Sequence, residues 1–137
     1  MKIARQAGFT LVEIMIAVAV FAFGVLAIAA IQVWSMRGNA SSQSITEAGN
    51  LASSQIERLM ALDYTHADLD DSDNDANAGL DHTGGAADHQ RTEGRYVISW
   101  NVAQDVPVNN NKMVNIILTW TEQGANKRFS VRAIRAR

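Results

Sequence analysis

Residues 5–15 read RQAGFTLVEIM and residues 16–34 continue IAVAVFAFGVLAIAAIQVW. One acidic residue, Glu13, stands at the threshold of a run made to enter a membrane. From Ile14 to Val33 twenty residues carry no formal charge. As a helix rising about 1.5 Å per residue they span about 30 Å, the hydrocarbon thickness of a bilayer. Lys2 and Arg5 precede the run and favour a cytoplasmic N-terminus, a bias that Arg37 beyond the far end weakens.

Three readings of this opening compete. A secretory signal peptide would use Ala27, Ala29 and Ala30 as its cleavage region, but the apolar run is long and Glu13 sits near its start. In a plain transmembrane anchor Glu13 costs about 0–3 kcal/mol, depending on depth and snorkelling, with no return. A precursor cut between Gly8 and Phe9 gives Glu13 a partner. Cleavage leaves a new α-amino group on Phe9, and a carboxylate at the fifth residue of the new chain lies about one helical turn away. Among parallel helices, Glu13 of one copy pairs with the Phe9 amine of another and rewards one axial stagger, because buried charge is costly unless paired.

The stretch KIARQAGFTLVEIMIA resembles the class III signal of type IV prepilins and type II secretion pseudopilins. Lys2 and Arg5 lie in a short leader, Gly8 precedes the cut, and Phe9 follows it. Thr10, Leu11 and Val12 lead to Glu13 and then to the apolar stretch. The resemblance implies cleavage after Gly8 and N-methylation of Phe9 by an inner-membrane prepilin peptidase, with Phe9 and Glu13 as the assembly residues.

The rest of the chain suits a small head. At 137 residues with a formal charge of −2 there is room for one modest domain, and a general nucleic-acid binder is disfavoured. No cysteine is present, so neither a disulfide nor a thiolate contributes. The single proline is Pro107, so nothing interrupts a long early helix. Beyond Trp34, an expected interfacial anchor, Ile45, Ala48, Ala52, Ile56 and Leu59 recur at helical spacing, widened by Leu51, Met60 and Leu62. One helix from about Phe9 to Leu62 is expected. Strand alternation then places Tyr96, Ile98, Trp100 and Val102 on one face, as it does Val114, Ile116, Leu118 and Trp120, and again Phe129, Val131 and Ala133. QGAN reads as a tight hairpin with Gly124 at positive φ. The expectation is an α+β, type IV pilin-like fold: a long spine helix, its first half transmembrane, packed on a small three-stranded antiparallel sheet. Its parts are a leader over 1–8, an assembly half of the helix over 9–36, and a head over 37–137. The head divides into amphipathic helix (37–62), acidic loop (63–94) and sheet (95–136).

Charge is unevenly placed. Eight aspartates and no Lys or Arg lie between Asp63 and Asp88, whereas five bases and no acid lie between Lys127 and Arg137. Such blocks are either solvated faces or surfaces that meet, including on neighbouring copies. In the acidic loop, Asp71, Asp73, Asp75 and Asn77 fall at positions one, three, five and seven of an EF-hand-like calcium loop. Ala76 replaces the glycine at six and His82 the glutamate at twelve. Starting instead at Asp73 recruits Asp75, Asn77, the Gly79 carbonyl and Asp81. A solvated loop is the alternative, and calcium is the only cofactor entertained. His66, His82 and His89 have no zinc-ligand spacing. No nucleophile–base–acid set or phosphate loop is visible, so an enzyme is not expected.

The order of leader, long helix, acidic loop and final sheet resembles minor pilins of the PilV (type IV pilus modification protein) family. That resemblance implies a subunit held in the inner membrane, with membrane lipid around its helix and its head in the periplasm, and later placed in an extracellular pilus. There it would help initiate assembly or sit near the tip. The implied partners are other minor pilins, the major pilin, prepilin peptidase and the inner-membrane pilus assembly platform. A minor pseudopilin of type II secretion, a membrane-anchored adhesin or ligand-binding module, and a secreted protein with a conventional signal peptide are the alternatives.

Overall fold

The computed structural model describes residues 9–72 and 79–137. It divides into two compact units, one ending at Ala40 and the other spanning Ser41–Arg137. Helix α1 covers Leu11–Ala61, close to the expected bounds. From Ile14 to Val33 the helix carries no charge on any side, and every large hydrophobic side chain from Leu11 to Met36 is exposed. The helix satisfies its own backbone polar groups, so this segment needs only an apolar medium around it.

In the second unit the helix is one-sided. Ser44, Ala48, Ala52, Gln55 and Leu59 are buried, with Leu51, Ile56 and Leu62 packed beside them. Two of the five buried positions are polar, and the stripe is rotated from the expected one. Ile45 is 50% exposed, while Ser44 points inward. Ser44 is drawn in by hydrogen bonds that an apolar residue could not make, described below.

Against this stripe lies a four-stranded antiparallel sheet in the order β1-β2-β3-β4. Its strands are β1 (His89–Glu93), β2 (Tyr96–Gln104), β3 (Asn111–Glu122) and β4 (Ala125–Ala136). Tyr96, Ile98, Trp100 and Val102 of β2 form the core with Val114, Ile116, Leu118 and Trp120 of β3, Leu59 and Leu69. Phe129 and Val131 close its β4 side. The alternation read from the sequence therefore holds along β2 and β3. In the register, Leu118 faces Ile98 and Trp100 faces Ile116. The β3–β4 turn is Gln123–Gly124, with φ of 51° and 78°. Positive φ at both central residues matches the twist of a two-residue hairpin.

The sheet has one strand more than the three expected. His89–Glu93 falls in the stretch read as loop 63–94, because HQRTE offers no apolar alternation. An edge strand does not need it. β1 gains backbone pairing with β2, from His89 opposite Trp100 to Glu93 opposite Tyr96. Gly94, at φ 57°, makes the two-residue turn between them. His89 also stacks on Trp100, ring centroids 5.3 Å apart.

The second correction concerns what covers the other sheet face. The expected fold supplied the helix as the cover of one apolar face and named no cover for the other. Instead Ser99, Asn101, Ala103, Asn115 and Ile117 are buried as fully as the core. Residues 79–88 cover them through hydrogen bonds. The Asn101 amide donates to the carbonyls of Leu80 and His82 at 3.3 and 3.0 Å. The Asn115 amide also donates to Leu80 O, and Gly84 N donates to Ser99 Oγ at 3.0 Å. A loop poor in apolar side chains can be held this way, because sheet side chains satisfy its backbone groups.

Candidate functional site

Three sets of residues carry chemistry: the first helical turn, the joint between helix and hairpins, and the acidic segment. At the first turn Thr10 immediately precedes α1. Its carbonyl accepts from Glu13 N and Ile14 N at 3.1 and 3.2 Å. Its hydroxyl oxygen accepts from Glu13 N at 3.3 Å. Thr10 is thus the N-cap and Glu13 the third helical residue, the Thr-x-x-Glu arrangement of a capping box. The helix dipole favours a carboxylate there. TLVE announces this cap in the sequence, and the reading that concentrated on Glu13 and the Phe9 amine passed over it. Phe9 and Glu13 are both described and exposed. Gly8 lies outside the described residues. The helix is long and apolar enough to cross a membrane, and none of its most apolar window is buried within the chain.

The joint is polar and ties both hairpins to the helix. Tyr96 Oη donates to Glu47 Oε2 at 2.8 Å, with Ser44 O a second acceptor at 3.1 Å. Arg95 donates to Tyr96 Oη at 2.8 Å and to Ser44 Oγ at 2.9 Å, and pairs with Glu47 at 3.4 Å. The Ser44 hydroxyl donates to Glu122 Oε1 at 3.0 Å. Burial pushes the Tyr96 phenol above its ordinary value, and the hydrogen bond to Glu47 adds to this by favouring the protonated form. The bond to Tyr96 raises the Arg95 guanidinium, with Glu47 adding to it.

Several members of the acidic and basic blocks are engaged inside the chain. Arg58 pairs with Asp68 at 2.8 Å. Lys112, only 3% exposed, donates to Leu69 O at 2.6 Å and stands over the Tyr64 ring. Asp88 is the anchor of the loop. Its carboxylate accepts from Val102 N at 2.7 Å and from Ser72 N at 2.9 Å. It thereby takes a backbone N–H of β2 just beyond the end of β1. From the basic strand, Arg135 donates to the carbonyls of Leu59, Met60 and Leu62, capping the C-terminus of α1. Arg128 reaches Asp81 O at 3.3 Å, so the two blocks touch within one chain.

Of the residues read as calcium ligands, Asp73, Asp75 and Asn77 lie outside the described residues. Asp71 is half-buried and Asp81 exposed. Among the described residues no group of three or more His, Asp or Glu is placed to hold a metal ion. His66 Nδ1 accepts from Asp68 N at 3.1 Å, and His89 Nε2 lies 2.9 Å from Asp70 O. Both act in loop structure. An open depression of about 470 Å³ on the sheet is lined by Thr83, Arg95, Trp120, Lys127 and Arg128 among others, with no acid in its wall among the described residues.

Residues 3–29 match the family model described as the prokaryotic N-terminal methylation motif. No curated protein and no solved structure matches the chain. The match supports a prepilin-type signal and a structural subunit of the type IV pilin or pseudopilin kind, not an enzyme family. Such a signal implies processing by a prepilin peptidase and assembly with other pilins. The exposed apolar helix is consistent with a membrane-anchored pilin.

Proposed function

We propose that the chain is a minor pilin of the PilV kind, cut after Gly8 and N-methylated on Phe9, which helps start a type IV pilus or sits near its tip. The observation that carries this reading is the methylation motif over residues 3–29, the stretch that holds Gly8, Phe9 and Glu13. Before assembly, lipid surrounds the apolar half of α1 and the head stands in the periplasm. On assembly, neighbouring helices replace lipid, and lateral packing offsets extraction from the bilayer. Glu13 of one subunit pairs with the Phe9 amine of the next and selects a single stagger. The helix dipole makes the unpaired carboxylate more tolerable in the waiting monomer.

The test is recovery of the chain, at low abundance, in pili sheared from cells, together with loss of surface pili when it is deleted. Glu13→Val should leave the chain in the inner membrane and out of sheared pili. Unchanged piliation, with the chain required instead for protein secretion, would transfer the reading to a type II pseudopilus.

A further inference from the structure

Strand β4 is an open edge. All twelve of its residues pair with β3 in unbroken register, from Ala125 opposite Glu122 to Ala136 opposite Asn111. Among the described residues no other backbone group bonds to it. The edge carries no proline, and the ladder has no bulge, two of the usual devices that blunt a long edge. With Glu122 and Ala125 closing the turn, the backbone groups of Asn126, Arg128, Ser130, Arg132 and Ile134 face outward. Their side chains form one row, exposed throughout. The other row holds Phe129 and Val131, which are half-buried at the rim of the core.

Along the middle of this unpaired edge, Arg128 and Arg132 flank Ser130 on one face, while Phe129 and Val131 stand on the other. A second copy of β4 paired antiparallel about Ser130 sets Arg128 opposite Arg132, an unfavourable meeting of like charges, whereas an acidic segment meets both arginines with opposite charge. We propose that this edge accepts, as a fifth strand, an extended segment of a different protein in which acidic residues alternate with apolar ones. The acids lie beside Arg128 and Arg132, and the apolar residues extend the Phe129–Val131 rim. Backbone bonds hold the segment and side-chain alternation selects it. The contact of Arg128 with Asp81 O is long and exposed, and leaves further guanidinium donors for the incoming carboxylate. The inference stands on the sheet and its charges and does not depend on the filament reading.

The test is amide hydrogen exchange of the full chain in detergent micelles, with a synthetic peptide repeating Glu-Val-Thr-Val and a control repeating Lys-Val-Thr-Val. The acidic peptide should slow exchange at Arg128, Ser130, Arg132 and Ile134 about tenfold or more, and the lysine peptide should not. Ser130→Pro removes one outward N–H without touching the β3 ladder, and should abolish protection. The Arg128→Glu/Arg132→Glu variant keeps every backbone donor and should reverse the preference between the peptides. Equal protection by both peptides, protection by neither, or dimerisation of the chain through β4 would overturn the proposal.

Discussion

The two halves of α1 share one backbone and obey different rules. From Ile14 to Val33 the surface carries no charge in any direction, and every large hydrophobic side chain from Leu11 to Met36 is exposed. From Ser41 to Ala61 only one stripe is buried, and two of its members, Ser44 and Gln55, are polar. Beyond Glu13, the first half is a solvent-matching device: any apolar surroundings satisfy it, so for the stability of the head the identity of its apolar residues matters little and total hydrophobicity matters much. The second half is a recognition surface for one sheet, so single atoms matter. Equal substitutions in the two halves should therefore have unequal effects on the head.

The largest expected difference comes from matched truncations. Leu59→Ala removes a fully buried side chain and should cost the head about 2–5 kcal/mol. Leu26→Ala, at a position 65% exposed, should change head unfolding in micelles by less than about 0.5 kcal/mol. Urea titrations of both variants followed by tryptophan fluorescence make the comparison, and equal losses would break it.

Asp88→Ala withdraws an ionised acceptor from Val102 N and Ser72 N, for an expected loss of about 2–3 kcal/mol. Faster hydrogen exchange should be confined to Ser72, residues 79–88 and β2 around Val102, leaving Leu59 and its neighbours unaffected. Arg135→Ala uncaps the C-terminus of the helix and should cost about 1–2 kcal/mol, with fraying at Met60 and Ala61. The smallest effect concerns Tyr96. Its phenol is held above its ordinary value, so the folded state binds the proton more tightly than the unfolded one. That contribution is fully present below the unfolded value of about 10 and is lost as pH rises through the higher folded value. Head stability should fall above about pH 10, and Tyr96→Phe should flatten that fall.

What could be read in advance follows the same division. The opening run and the β2–β3 core depend on apolar runs and alternation, which a sequence displays directly, and the methylation motif is itself a sequence pattern. The rotation of the helical stripe did not show, because Ser44 is buried for its hydrogen bonds with Arg95, Tyr96 and Glu122. Strand β1 did not show, because an edge strand is built on backbone pairing, and Gly94 at the turn was its only signal. The covered second face was hidden too, since Asn101 and Asn115 look like solvated residues until the carbonyls of Leu80 and His82 are placed over them. The basic block read as a surface, yet Arg135 serves as a helix cap. At the N-terminus, Thr10 could have been found from TLVE alone.

The central claim is that the charge at Glu13 belongs to a processed subunit. The measurement that reaches it most directly is mass spectrometric mapping of the N-terminus of the protein taken from its native membrane. N-methyl-Phe9 as the first residue is the predicted result. A chain still beginning at Met1, or one beginning within the stretch Ala27–Ile31, would contradict it. Glu13 would then be only the acidic third residue of a capped helix.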